Sequence, residues 1–179
     1  MPLSDPHELL TLVSDDDGTV IGPVARGLVH GNPSLVHRSA HVLVLHPRQG
    51  TLLLQKRSLS KDTSPGLWDV SVGGHVAFGQ GYEEAVLRET EEELGIRVTA
   101  ADLEYLYFTR FRSALESENT RSYLCRHAGP FRPDPDEISD LRFWSRAEIE
   151  AARGTSVFTQ NFEEEYPVFL ASVHGALLR

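Results

Sequence analysis

Short apolar runs separated by polar turns occupy the first part of the chain and predict β-strands. The first two runs flank an acidic turn that ends at Gly18, and the next two flank a Pro/Gly turn, so each pair predicts a β-hairpin. The second hairpin is nearly continuous in apolar residues, which is typical of strands at the centre of a sheet. The five predicted strands are 8–13, 19–24, 40–46, 51–56 and 67–72, the last ended by Gly73 and Gly74.

The pattern changes to a helical period between residues 82 and 94, where apolar positions recur at spacings of three and four. Glu83 and Glu84 fall in the first predicted turn, where acidic side chains interact favourably with the helix dipole. Gly95 follows the last apolar position and predicts the C-terminal cap. Beyond it we predict strands over 102–111, 120–126 and 138–144, a polar loop over 112–119, a helix from a Ser145 cap to Ala152, and a final helix over 163–178 with Pro167 near its start.

This order of elements predicts an α/β (α+β) fold, with few helices packed on a largely antiparallel or mixed sheet. The chain has 179 residues, of which 40% are hydrophobic, and this is enough for one domain with a full core. No repeat or linker divides it. We therefore expect a single domain over residues 1–179.

Charge and cysteine content narrow the classes of partner. The net charge of −9 at pH 7 disfavours binding of nucleic acid polymers and of anionic membranes. No leader pattern opens the chain, and no apolar run approaches the roughly 20 residues that a membrane span needs. The one cysteine, Cys125, cannot form an internal disulfide, which fits a reducing compartment. We expect a soluble, cytoplasmic protein that meets phosphate groups through local cations or a metal.

Three carboxylates on the predicted helix indicate chemistry. Glu89, Glu92 and Glu93 are spaced by three and four residues or are adjacent, so they share one narrow arc of the helix. Like charges held so close repel one another unless a cation neutralises them. Oxygen ligands of this kind suit Mg²⁺ or Mn²⁺, so the sequence predicts a divalent metal site.

The segment from Gly74 to Ile96 resembles the Nudix box, the signature of the Nudix hydrolase family. Two positions depart from it: Gln80 stands where the family has its first Glu, and Thr90 where an aliphatic residue is usual. The resemblance implies a Nudix-type α/β/α sandwich with a mixed central sheet over 37–170 and an N-terminal β-hairpin extension over 1–36. The positions that match are Gly74, Arg88, Glu89, Glu92, Glu93, Gly95 and Ile96.

The resemblance also implies a reaction, the hydrolysis of a diphosphate linkage in a nucleoside diphosphate derivative or a related small pyrophosphate. Glu89, Glu92 and Glu93, with the Gly73 carbonyl, would hold Mg²⁺ (or Mn²⁺), and Glu92 or Glu93 would act on the attacking water. Arg88, without a Glu at position 80, would pair with Glu84 or Glu91. Three residues outside the box remain open between a site role and ordinary exposure in loops: Arg57 and Lys61 as phosphate contacts, and Glu137 as a base.

A second resemblance extends beyond the box. The segments QKRSLSKDTSPGLWDVSVGGH and FTQNF are similar to type I isopentenyl-diphosphate isomerase, a Nudix branch with a histidine-based metal site. His30, His37 and His75 fall at matching places and either bind a second metal or lie solvated in loops. The isomerase has its catalytic Cys where this chain has Gly73, and its glutamates are not clearly matched in the later segment ENTRSYLC.

Three classes of function therefore remain in view. The leading prediction is a Mg²⁺-dependent pyrophosphohydrolase. The alternatives are an isomerase-like protein, which the missing thiol disfavours, and a Nudix module that senses a nucleotide without cleaving it. Edge strands and the N-terminal hairpin would also permit a homodimer.

Overall fold

The computed structural model of the chain describes residues 5–179, and this part contains one sheet of nine strands. The strands are β1 (Leu9–Val13), β2 (Val20–Ala25), β3 (Val36–Leu45), β4 (Leu52–Arg57), β5 (Trp68–Asp69), β6 (Val72–His75), β7 (Leu103–Arg112), β8 (Ser117–Arg126) and β9 (Ile138–Trp144). Four α-helices accompany them: α1 (Arg26–Val29), α2 (Tyr82–Leu94), α3 (Arg146–Ala152) and α4 (Gln160–Ala171). None of the helices in the described residues is long and apolar enough to cross a membrane.

Strand β3 is the centre of the sheet. It pairs antiparallel with β1, β4 and β6, and parallel with β8 over its whole length from Val36 to Leu45. The sheet is therefore mixed, as the sequence predicts. The N-terminal hairpin of β1 and β2 is also confirmed, and it extends the sheet at one edge.

The two faces of β3 bury two separate cores. Ala40, Val42 and Val44 pack on one face together with residues of α2. Leu43 and Leu45 point to the opposite face, where they join residues of α3 and α4. Because side chains alternate along a strand, one apolar strand supplies both layers. The result is the α/β/α sandwich that the resemblance implies.

Helix α2 begins and ends where the sequence predicts. It buries Val86, Thr90 and Leu94 against the sheet, and Gly95 adopts a left-handed conformation with φ of 64°. Thr90, which replaces an aliphatic residue of the box, is fully buried, and its hydroxyl donates to the Val86 carbonyl at 2.6 Å. The substitution is tolerated because the hydroxyl finds a partner within the helix.

Several predicted boundaries are wrong. Gly73 and Gly74 lie inside β6 rather than after a strand, and β8 begins at Ser117, so the loop predicted over 112–119 is shorter. The last helix starts earlier and ends at Ala171, with Pro167 in its interior rather than near its start. A proline has no N–H to donate four residues back, to Glu163. The Glu163 carbonyl instead accepts from Arg153 Nη2 at 3.5 Å, which compensates for the missing helical bond.

Candidate active site

A polar cavity of about 410 Å³ brings together residues from β3, β6, α2 and the start of β8. Two groups of potential metal ligands line or adjoin it. The first, here called the histidine cluster, comprises His37, His75 and Glu118. The second, the box carboxylates, comprises Glu89, Glu92 and Glu93. Carboxylates outnumber cationic side chains in the lining, so this is a site suited to cations.

Strand pairing assembles the histidine cluster. His37 on β3 lies opposite Glu118 on β8, and Ser39, two residues further along β3, lies opposite His75 on β6. Glu118 Oε1 lies 3.6 Å from His37 Nε2 and 3.4 Å from His75 Nε2. One ligand atom from each of the three residues lies within 4.8 Å of the others, close enough for a single ion to contact all three.

Unsatisfied nitrogen atoms favour a metal at this place. Nε2 of His37 and of His30 is buried and has no hydrogen-bond partner among residues 5–179. His30 adjoins the cluster, with its ring 5.6 Å from that of His75 and its Nε2 3.8 Å from Glu116 Oε2. Buried polar atoms are normally paired, so these nitrogens fit the coordination of a metal ion. Imidazole and carboxylate together suit a divalent transition ion.

The local electrostatics suit His75 and Glu118 to a cation, whereas at His37 burial lowers the pKa but Glu118 outweighs it and raises it, so a metal would have to displace a proton there. Burial lowers the pKa of His75 to about 4, so its imidazole is neutral near pH 7 and can act as a ligand. Burial opposes ionisation of Glu118, but the adjacent His37 and His75 outweigh it and hold the pKa of Glu118 well below its usual value. Glu118 also accepts a hydrogen bond from Asn161 Nδ2 at 3.2 Å, which fixes its second oxygen.

Two of the box carboxylates are strongly desolvated. Burial and the charge of Glu93 raise the pKa of Glu89 to about 8. Burial raises the pKa of Glu93 to about 6, although Lys61 and the bonds from the Gly73 N–H, at 3.3 Å, and Gln55 Nε2, at 2.8 Å, lower it. Burial destabilises the ionised form of a carboxylate, so a bound cation, which stabilises that form, has its largest effect on groups of this kind.

Arg88 pairs with other residues than predicted. Its guanidinium contacts Glu89 and Glu92, each at 2.9 Å, and not Glu84 or Glu91. Glu84 and Glu91 are also one turn from Arg88, but Glu84 Oε2 accepts from the Gly81 N–H at 2.8 Å and Glu91 pairs with Arg97, so Arg88 pairs with the two remaining carboxylates. Gln80, which replaces the usual Glu, leaves its Oε1 buried and without a partner among the described residues.

The contact of Gly74 with Glu89 gives a first prediction. A Cβ atom at position 74 would overlap the Glu89 carboxyl group, which is the mobile end of a side chain. We expect Gly74→Ala to turn Glu89 away from the cavity and to weaken Mg²⁺ binding by about tenfold or more, as loss of a ligand's support does. Calorimetric titration with Mg²⁺ measures this. Unchanged affinity, with a normal melting temperature, would show that Glu89 takes no part in binding.

The residues predicted outside the box also reach the cavity. Arg57, Lys61 and Glu137 all line it. Arg57 is held by Thr63 and Asp69, and Lys61 pairs directly with Glu137. Their roles as phosphate contacts or base, like the Gly73 carbonyl as a ligand, stay predictions.

His37 and His75 lie in strands rather than in solvated loops, whereas His30 lies half-buried in the turn after α1. Two glutamates of the later segment also reach the site, and the sequence did not predict them. Glu118 is the first residue of ENTRSYLC, and Glu116 lies two positions before it. Sequence reasoning placed both in a loop because the segment is polar. The available signal was their spacing of two residues, which is the spacing of one face of a strand, although Glu116 lies just before β8 and only Glu118 lies within it.

Comparison with known proteins agrees with this geometry. The sequence model of a protein family, the NUDIX domain, matches residues 35–163 of the chain. The chain is 34% identical over 158 residues to the isopentenyl-diphosphate Delta-isomerase of Streptomyces avermitilis, covering 86% of this chain and 79% of that protein. It is 36% identical over 146 residues to the isomerase of Mycolicibacterium vanbaalenii, covering 78% of each.

Solved structures show the same fold. DR0079 from Deinococcus radiodurans superposes with a TM-score of 0.73 and 28% identity, covering 88% of this chain and 96% of that one. A MutT NUDIX hydrolase from Burkholderia pseudomallei superposes with a TM-score of 0.52 and 26% identity, covering 65% and 95%. The chain therefore belongs to the NUDIX domain family. This confirms the recognition made from the box and supports the predicted enzyme class, a hydrolase of phosphorus acid anhydrides.

Proposed function

We propose that the protein is a divalent-metal-dependent hydrolase that cleaves a diphosphate linkage in a nucleoside diphosphate derivative or a related small pyrophosphate. The observation that carries the proposal is the convergence of the box carboxylates and the histidine cluster on one cavity. Its volume of about 410 Å³ lies within the usual range for small-molecule sites. Mg²⁺ or Mn²⁺ suits the box carboxylates.

The residues of the box have defined parts in this proposed reaction. A bound divalent cation would neutralise phosphoryl oxygens and lower the pKa of water. Glu93 is the best placed base, because it is buried and its raised pKa of about 6 lies close to neutrality. Glu92 is more exposed and is engaged by Arg88, so Arg88 orients Glu92 and Glu89 rather than contacting the reacting atoms itself.

The isomerase alternative is supported by the relatives and by the histidine cluster. The cavity, however, offers this reaction no thiol, since Gly73 stands at the position of the isomerase cysteine and has no side chain. Cys125 cannot replace it, because it lies on β8 within the apolar core beneath α2, and burial raises its pKa to about 11. A thiol in the core is unreactive, so proton transfer at an allylic carbon would lack the cysteine that acts as its acid or base.

A substrate panel separates the three functions. Nucleoside diphosphate derivatives, inorganic pyrophosphate and isopentenyl diphosphate would each be incubated with Mg²⁺ or Mn²⁺, and products would be resolved by chromatography. We expect cleavage of at least one diphosphate and no double-bond migration. Migration would establish the isomerase, and binding without any cleavage would establish a sensing module.

The raised pKa values predict how metal binding depends on pH. Below about pH 8 for Glu89 and about pH 6 for Glu93, each carboxyl increasingly holds a proton that the cation must displace. Affinity should therefore fall as the pH falls, and we expect Mg²⁺ to bind at least about tenfold more weakly at pH 6 than at pH 8. Calorimetric titration at the two pH values measures the ratio. Equal affinities would contradict this description of the carboxylates.

A further inference from the structure

A buried polar cluster lies beside the cavity and has no place in the chemistry described above. It comprises His41 on β3, Tyr107 on β7, Ser122 on β8 and Glu165 on α4. His41 occupies the same face of β3 as Leu43 and Leu45, where an apolar side chain would be expected. His41 is only 5% exposed and Glu165 only 3%.

Glu165 is fully engaged by this cluster. Its Oε2 lies 2.6 Å from His41 Nδ1, and its Oε1 accepts from Ser122 Oγ at 2.5 Å and from the Tyr107 hydroxyl at 3.2 Å. Burial opposes its ionisation, but His41 and the two hydroxyl groups hold its pKa below the usual value. A buried ion pair is seldom more stabilising than apolar residues of the same size, so stability alone does not account for the pair.

The other side of the imidazole faces the active site. A Cβ atom on Gly73 would lie 3.3 Å from His41 Cδ2 and 3.4 Å from Nε2, and both residues line the cavity. The glycine thus leaves this edge of the ring uncovered. The ring makes one hydrogen bond, through Nδ1, and Nε2 has no hydrogen-bond partner among residues 5–179.

The remaining cationic groups of the cavity wall are already engaged by carboxylates. Arg88 contacts Glu89 and Glu92, and Lys61 contacts Glu137. His41 differs, because its Nδ1 lies 2.6 Å from the buried Glu165 carboxylate while its Nε2 has no partner among residues 5–179. A buried carboxylate that also accepts from two hydroxyl groups favours the charged imidazolium beside it, and in that form Nε2 bears a hydrogen that it can donate.

We propose that His41, oriented by Glu165, binds the substrate by donating a hydrogen bond from Nε2 to a non-bridging phosphoryl oxygen of the diphosphate. The inference rests on the proposed function and adds a binding residue to that site. Glu165 is a positioning residue, since it acts through His41. A charge-assisted bond of this kind offsets part of the repulsion between a diphosphate and the acidic cavity.

Binding of methylenediphosphonate, a diphosphate analogue with a carbon bridge that resists hydrolysis, tests the proposal. Calorimetric titration would be carried out with Mg²⁺ present. We expect His41→Gln to weaken binding by about tenfold or more, which corresponds to loss of a hydrogen bond to a charged group. Glu165→Gln should weaken it as well, by a smaller factor. Equal affinity of His41→Gln and the unsubstituted protein, at equal melting temperature, overturns the proposal.

His174→Gln is the matched control. His174 also pairs with a glutamate, Glu104, at 3.0 Å, but neither residue lines the cavity. Its substitution should leave the affinity for methylenediphosphonate within about twofold, as distant surface changes usually do. An equal loss in both histidine variants would overturn a specific role for His41.

A measurement on the unsubstituted protein does not depend on how the variants fold. The imidazole nitrogen resonances of His41 would be followed by ¹⁵N NMR while methylenediphosphonate is added. A shift of Nε2 that saturates with binding is expected, and no shift at saturation overturns the proposal. If the unsubstituted protein neither binds the analogue nor cleaves any diphosphate, the proposed function fails too. If it does both while His41 is unaffected, only this inference fails.

Discussion

Glu93→Gln is expected to lower the rate of diphosphate hydrolysis by at least about 100-fold, the usual contribution of a positioned general base. The Glu93 carboxylate is buried between Gln55 and the Gly73 N–H, so it can take a proton from water without competition from bulk solvent. An amide of the same shape keeps the packing but has neither the charge nor the basicity. Steady-state rates with the best substrate of the panel, at saturating Mg²⁺, measure the effect.

Glu91→Gln provides the control for this change. Glu91 is on the same helix but is exposed. Its carboxylate lies 2.5 Å from Arg97 Nε, and neither residue lines the cavity. Its substitution should leave the rate within about twofold, as surface changes usually do. If Glu93→Gln retained full activity, Glu93 could not be the base, and Glu92 would become the first candidate, with Glu137 after it.

The second large effect is expected at the histidine cluster. His75→Gln should weaken binding of Mn²⁺ or Zn²⁺ by at least about 100-fold, because even outer partners of metal ligands contribute 10- to 100-fold. His75 is neutral near pH 7 and lies 3.4 Å from Glu118, so its nitrogen is available to an ion. Competition with a metallochromic dye measures the affinity.

Two comparisons make this experiment specific. His46→Gln changes a histidine that lies in the turn after β3 and does not line the cavity, and it should leave metal affinity unchanged. Glu118→Gln should reproduce the loss seen for His75→Gln, since the two residues share one candidate site. Unaltered affinity in both variants would show that the histidine cluster does not bind the metal.

Local signals accounted for much of the fold. Helix α2 was predictable from end to end, because its apolar period, its acidic first turn and the Gly95 cap all lie within the helix or next to it. Strand β9 was equally clear. These elements depend on interactions between residues close in sequence, which a single chain displays directly.

The start of β8 and the polar clusters could not be predicted in the same way. Ser117, Glu118, Asn119 and Thr120 are polar yet buried, because β3 pairs with β8 on one side and β7 pairs with it on the other. That burial depends on the whole sheet. His41 and Glu165 are 124 residues apart, and no spacing or motif links them. The box carboxylates carry a sequence signature, whereas these contacts exist only after folding.

The most direct test of the hydrolase account is the fate of oxygen at phosphorus. The best substrate of the panel would be cleaved in ¹⁸O-labelled water, and the products would be examined by ³¹P NMR. We predict ¹⁸O in one phosphate product, formed only when Mg²⁺ or Mn²⁺ is present and lost with Glu93→Gln. An intact diphosphate under all conditions, together with double-bond migration in isopentenyl diphosphate, would contradict the account.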